Sequence, residues 1–366
     1  MRNLTIMIKP ASSLCNLRCK YCFYANLSSL RKVKSFGIMS NTTMENMIHN
    51  IFQNIDSGDK VSFVFQGGEP TLAGLSWFQS FVDLVNSWKG IHISYALQTN
   101  AVLLDEQWCR FLKKYNFLVG VSWDILPECQ NEVRVDTSGK GTQKKVLESI
   151  ALLNAWKIKY NVLCTLTNFV ARYPNQVWKQ LVKYDIRYIQ FTPCLDDLDR
   201  PNEGDYALCP KRFASFYDQI FHLWEADVKK GKGRSVKLFD DIMNLMVYGV
   251  PSACGMDGKC NPQIVVEADG SVYPCDFFCV DEYKLGNLAQ TGIRQIYESE
   301  AMRAFLTRPH QMPALCKNCR FARFCGGNCK RMQRQICCTE QDFFCGYQDF
   351  LNRNITSLQS IARMLL

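Results

Sequence analysis

A chain of 366 residues, 47% hydrophobic and 21% charged, has a globular composition and the length for a full core plus a second domain. Its formal charge of +9 is carried without a dense Lys/Arg run or basic-aromatic interleaving, so no nucleic-acid partner is expected. No apolar run reaches about 18 residues, and the stretch at 4–8 is too short for a signal-peptide core, so neither a membrane partner nor secretion is expected. A cytoplasmic location follows, and there the 19 cysteines are metal ligands or buried thiols rather than a disulfide framework.

The first strand is predicted at 4–8, and a cysteine loop follows it directly. Cys15, Cys19 and Cys22 are spaced C-x3-C-x2-C, with the aromatic Tyr21 before the last. Three thiolates on one loop can hold three irons of a [4Fe-4S] cluster and leave the fourth open, whereas an electron-transfer cluster takes four cysteines. A zinc knuckle or three unrelated thiols are the alternatives. A helical pattern at 43–53 leads to a second strand at 61–66, which ends in Gln66-Gly67-Gly68-Glu69-Pro70. Two glycines let backbone approach a ligand closely, and a carboxylate there can accept from an ammonium; alone, the string reads as a turn.

Helical patterns at 76–87, 105–114, 143–156 and 177–184 alternate with strands at 91–98, 117–122, 160–165 and 187–191. Six strands alternating with helices predict a parallel sheet, too few for a closed eight-stranded barrel. The expected fold is therefore α/β, an open partial (β/α)6 barrel with its chemistry at the C-terminal ends of the strands. A polar loop at 196–205 and a helix at 212–230 come next. Gly231-Lys232-Gly233 marks a boundary, giving domains 1–233 and 234–366, and beyond it the alternation is expected to stop.

The second domain is cysteine-rich: Cys254, Cys260 and Cys275, then Cys316, Cys319, Cys325 and Cys329, then Cys345. Eight thiolates suit two fully ligated cubanes or two four-cysteine zinc sites, and the count does not choose. Cys279, Cys337 and Cys338 compete as ligands but read better as buried thiols. Cys109, Cys129, Cys164, Cys194 and Cys209 are scattered and read as structural.

The triad together with Gly67-Gly68-Glu69 resembles the radical S-adenosylmethionine (SAM) superfamily, and the later cysteines resemble its SPASM domain. Lys9-Pro10-Ala11-Ser12-Ser13, Leu97-Gln98-Thr99-Asn100, Cys194-Leu195-Asp196 and Tyr273-Pro274-Cys275-Asp276-Phe277 extend the likeness to anaerobic sulfatase-maturating enzymes over essentially the whole chain. The resemblance implies SAM on the open iron and three [4Fe-4S] clusters. It implies SAM contacts at Tyr21, Gln66, Gly67, Gly68, Glu69, Ser122, Arg134 and Leu195. One auxiliary cluster would take Cys254, Cys260, Cys275 and Cys329, the other Cys316, Cys319, Cys325 and Cys345. Asp276, beside the ligand Cys275, would be the catalytic base, where a lone carboxylate otherwise reads as a solvated turn residue.

The implied reaction converts a cysteine or serine of an unfolded sulfatase or peptide to Cα-formylglycine, after a 5′-deoxyadenosyl radical removes a Cβ hydrogen. Flavodoxin or ferredoxin would supply low-potential electrons, and a monomer is expected. A maturase of ribosomally made peptides, forming crosslinks or epimers, is the runner-up. Two positions depart from the family pattern: Asp124-Ile125-Leu126 stands where Asp-Gly-Pro is usual, and Gln130 replaces a histidine.

Overall fold

The structure, a computed structural model, describes residues 3–201, 203–309, 312–337 and 343–364. Two compact units emerge, and neither is one continuous segment. The first comprises Met1–Ser122, Arg134–Tyr160 and Pro262–Arg308, the second Trp123–Val133, Asn161–Asn261 and Pro309–Leu366. The strands in chain order are β1 (Asn3–Ile8), β2 (Lys60–Phe65), β3 (His92–Thr99), β4 (Leu118–Ser122), β5 (Tyr160–Leu166) and β6 (Tyr188–Pro193). Four short ones follow: β7 (Ser235–Val236), β8 (Ile264–Val266), β9 (Ser271–Tyr273) and β10 (Gly286–Asn287).

In the first unit β1, β2, β3 and β4 run parallel, with Ile6 opposite Phe63, Phe63 opposite Tyr95 and Leu97 opposite Val119. The pattern of β2 shows why. Val61, Phe63 and Phe65 are fully buried, while Ser62 and Val64 on the other face are half-buried, the period of two that a strand imposes. Phe65 packs edge-on against Phe78 at 4.9 Å and Phe81 at 5.0 Å, both on the helix Leu75–Asn86. Burying each such side chain stabilises the unit by roughly 1.5–3 kcal/mol. Gln66 follows in the phase of Ser62 and Val64, on the face away from that core.

Residues after Pro262 rejoin this sheet. β8 pairs parallel with β1, placing Ile264 opposite Ile6, and β9 and β10 add antiparallel strands at that edge. Their three-residue and two-residue lengths are too short to show a period, so they are not seen in the sequence.

In the second unit β5, β6 and β7 are parallel, with Val162 opposite Ile189 and Ile189 opposite Val236. The alternation therefore does not stop at Gly231-Lys232-Gly233: β7 and the helix Lys237–Tyr248 add a further strand-helix step. Phe213, Phe216, Tyr217, Phe221 and Trp224 are buried on one face of the helix Pro210–Lys229 at i, i+3, i+4 spacing. Phe239 stacks on Phe350 of the helix Gly346–Met364 with centroids 5.8 Å apart, closing that core. No helix among the described residues is long and apolar enough to cross a membrane.

Candidate active site

The loop after β1 is pinned at three points of the first unit. Arg18 donates its backbone N–H to the Val135 carbonyl at 2.7 Å, and Leu17 bridges to Asp136. Asn100, just past β3, donates to the Asn16 side chain at 2.8 Å and lies 3.9 Å from the Cys15 sulfur. Cys22 caps the helix Phe23–Ser29, and its N–H donates to the Cys19 carbonyl at 3.2 Å. All three thiols are half-buried on one short loop, and burial pushes Cys15 up to about 11. A loop rigidly held with its thiols accessible fits a cluster with one open iron.

The turn after β2 wraps against that loop. Gly68 has φ +48°, and a Cβ there would lie 2.2 Å from the Leu14 carbonyl oxygen, so only glycine fits. Glu69 is 1% exposed. Its Oε1 accepts from the Thr71 N–H at 3.1 Å and from the Thr71 and Thr99 hydroxyls at 2.7 Å each, while Oε2 accepts from the Asn100 N–H at 2.7 Å. Burial raises the Glu69 carboxyl despite these donors. Oε2 is the oxygen with acceptor capacity to spare. The carboxylate thus also ties the ends of β2 and β3 together, a role the sequence did not reveal.

Arg134 is buried, with its guanidinium over the Tyr21 ring at 5.4 Å, so two expected cofactor contacts meet. Ser122 ends β4 and accepts from Gln98 Nε2 at 3.0 Å. In the second unit, Leu195 is half-buried just beyond β6. The departures from the family pattern also lie there. Asp124 is fully buried; its Oδ1 accepts from the Thr165 N–H at 3.0 Å, and its own N–H donates to Gln130 Oε1 at 2.8 Å. Ile125 has φ +64°, the left-handed conformation that favours glycine. The Ile125 side chain itself is fully buried.

Asp276 is not a solvated turn carboxylate. It is 6% exposed, and its Oδ2 accepts from the Tyr24 hydroxyl at 2.5 Å and from Gln66 Nε2 at 3.1 Å. Lys9 Nζ lies 3.1 Å from Oδ1 and 3.7 Å from Glu267 Oε1. Glu267 also pairs with Arg31 at 2.6 Å and accepts from Ser12 at 2.8 Å. Burial lowers the Lys9 pKa, but neighbouring Cys279, Asp276 and Glu267 more than offset this and hold it well above the usual range. Cys279 is a fully buried thiol of this network, pushed up to about 12 by burial. Lys9, Tyr24 and Glu267 were missed as site residues. The available signal is a lysine directly after a strand that ends in the apolar run Ile6-Met7-Ile8.

The later cysteines divide by place. Cys275 lies two residues past the end of β9 in the first unit. In the second unit, Gly255 and Gly258 let the loop carrying Cys254 and Cys260 approach Cys329: a Cβ on Gly255 would lie 2.8 Å from the Cys329 Cβ, and one on Gly258 2.0 Å from the Gly326 carbonyl oxygen. Cys316, Cys319, Cys325 and Cys345 line a small cavity together with Cys337. Cys337 lies within hydrogen-bonding range of Cys325 and Cys345 and holds both below the usual thiol range. Cys338 lies outside the described residues. Among the described residues, no three His, Cys, Asp or Glu side chains are gathered as ligands of one ion.

Comparison with known proteins agrees with this geometry. Residues 10–171 match the radical SAM superfamily, and residues 258–320 match SPASM, an iron-sulfur cluster-binding domain. A cysteine-type anaerobic sulfatase-maturating enzyme of Clostridium perfringens is 38% identical over 99% of both chains. The chain belongs to the anaerobic sulfatase-maturating enzymes. A serine-type member from Bacteroides thetaiotaomicron is 29% identical over 99% of this chain and 94% of its own. A solved structure of native anSMEcpe with bound AdoMet and Kp18Cys peptide superposes with a TM-score of 0.90, at 36% identity over 99% of both chains. Membership makes the fold a partial (β/α)6 radical SAM barrel followed by a SPASM domain.

Proposed function

We infer that this protein oxidises a cysteine of a sulfatase or peptide to Cα-formylglycine, with S-adenosylmethionine and three [4Fe-4S] clusters as cofactors. Cysteine rather than serine is the proposed target, because the cysteine-type relative is nearer than the serine-type one. When bound, these groups supply the radical that removes a Cβ hydrogen and the acceptor for the second electron.

The rest is the work of this chain's residues. Cys15, Cys19 and Cys22 hold one cluster. Tyr21, Gln66, Gly67, Gly68, Glu69, Ser122, Arg134 and Leu195 form the SAM pocket, the two glycines admitting the ligand and Glu69 accepting from its ammonium group. Cys254, Cys260, Cys275 and Cys329 hold one auxiliary cluster, and Cys316, Cys319, Cys325 and Cys345 the other. Asp276 takes the proton of the substrate thiol, and this role rests on one observation. The carboxylate is buried beside Cys275 and held by Tyr24, Gln66 and Lys9, past the ends of β1 and β2. A positioned acceptor of that kind suits general-base catalysis.

The domain reading, a radical SAM core over 1–233 and a SPASM domain over 234–366, is supported by family matches on either side of residue 233. A flavodoxin or ferredoxin as donor, a monomeric state and a cytoplasmic location belong to the same proposal. Mass spectrometry of a Cys-x-Pro-x-Arg peptide incubated with reduced protein and SAM tests it. Formylglycine is expected from that peptide and not from its Ser-x-Pro-x-Arg counterpart; SAM cleavage that leaves the cysteine peptide unchanged rejects the reading.

A further inference from the structure

The cavity lined by Cys316, Cys319, Cys325, Cys337 and Cys345 is also lined by Tyr347 and Gln348. Both stand in the first turn of the helix Gly346–Met364, directly after Cys345. Gln348 faces two of the thiols: its Nε2 donates to the Cys319 sulfur at 3.2 Å, and its backbone N–H to the Cys345 sulfur at 3.4 Å. Tyr347 is 1% exposed, and its buried hydroxyl has no hydrogen-bond partner among the described residues. A buried hydroxyl ordinarily finds a partner, since leaving one unpaired costs about 1–3 kcal/mol.

The helix start is fixed in place. Gly346 donates its N–H to the Cys337 carbonyl at 2.9 Å. A Cβ on Gly346 would lie 2.3 Å from the Pro210 carbonyl oxygen and 2.7 Å from that of Ile336, so only glycine lets the helix begin this close. Tyr347 and Gln348 are therefore presented to the cavity by a closely packed helix start.

We propose that Tyr347 and Gln348 set the reduction potential of the cluster held by Cys316, Cys319, Cys325 and Cys345, by donating hydrogen bonds to its sulfur atoms. The proposal rests on the ligand set given above. Each reduction adds an electron, and negative charge on the sulfurs strengthens every bond they accept. Donors at this site therefore favour the reduced form and raise the potential, one of the levers by which proteins tune such clusters. A raised potential makes this cluster the better acceptor for an electron leaving the substrate radical. Tyr347 and Gln348 are positioning residues in that sense and touch no substrate.

The test is an anaerobic redox titration of the fully loaded protein, followed by electron paramagnetic resonance, for the parent, Tyr347→Phe and Gln348→Leu. Iron content and thermal midpoint should match the parent. One cluster of three should become harder to reduce, by about tenfold for each bond lost, or about 59 mV for one electron, while the other two stay put. If both variants titrate like the parent, the proposal is overturned. Should Tyr347→Phe fail to load its iron, Gln348→Leu decides alone. A Cys316→Ala/Cys319→Ala variant separates the ligand set from the donors. It should lose about a third of the iron and with it the signal that shifts. Loss of that iron with the shifting signal retained overturns the donor role; full retention of iron overturns the ligand set instead.

Discussion

Asp276→Asn keeps the shape of the side chain and its acceptor oxygen for Tyr24 but removes the capacity to take a proton at neutral pH. The variant should load three clusters and still form 5′-deoxyadenosine, while formylglycine falls by about 10²-fold or more, the usual contribution of general-base catalysis. Product at the parent rate leaves Asp276 without that role. Arg134→Ala should weaken SAM binding while sparing the clusters, because it removes the cation over Tyr21; unchanged affinity in equilibrium dialysis contradicts the assignment. Glu267 makes a pH prediction. Burial pushes its carboxyl up, but Lys9 and Arg31 outweigh burial and hold it below the ordinary glutamate value of 4.5. A depressed folded pKa means stability that is present above about 4.5 and lost as pH falls through the folded value. Glu267→Gln should therefore cost about 3–5 kcal/mol at pH 7 by leaving the buried Arg31 without a carboxylate partner. Its urea midpoint should approach the parent's as the pH drops below 4.5, and a constant gap argues against the linkage.

At the scale of elements, the site is built from turns that admit no side chain. Gly68 brings the turn after β2 onto the triad loop, and Gly258 brings the loop of Cys254 and Cys260 onto Gly326. Gly258→Ala should force those loops apart, because its Cβ meets backbone rather than a movable side chain. The expected result is loss of about a third of the iron with SAM cleavage retained, read by iron assay and 5′-deoxyadenosine formation; full iron content speaks against that contact. The six longer strands lie within about two residues of their predicted places, because in all but β4 a buried face repeats at period two over enough residues to show it. The turn at Ile125 is the converse case: a β-branched residue gives no hint of a left-handed conformation.

At the scale of the whole molecule, three separately held clusters make iron content additive. Replacing Cys15, Cys19 and Cys22 with Ala should remove about a third of the iron and abolish SAM cleavage, while the variant stays folded by circular dichroism. Stoichiometric zinc in protein prepared without oxygen contradicts the three-cluster reading. The sequence by itself determined the parallel α/β class and located the triad loop and the later cysteine groups, since periodicity and cysteine spacing are properties of contiguous residues. Only the tertiary structure decided that β8 returns to the edge of β1, and that Tyr24 meets Asp276 across 252 residues of chain. It also decided that Cys337 shares a cavity with four thiols expected to be ligands. Each of these depends on which distant surfaces bury together, and burial of that kind leaves no local period to read.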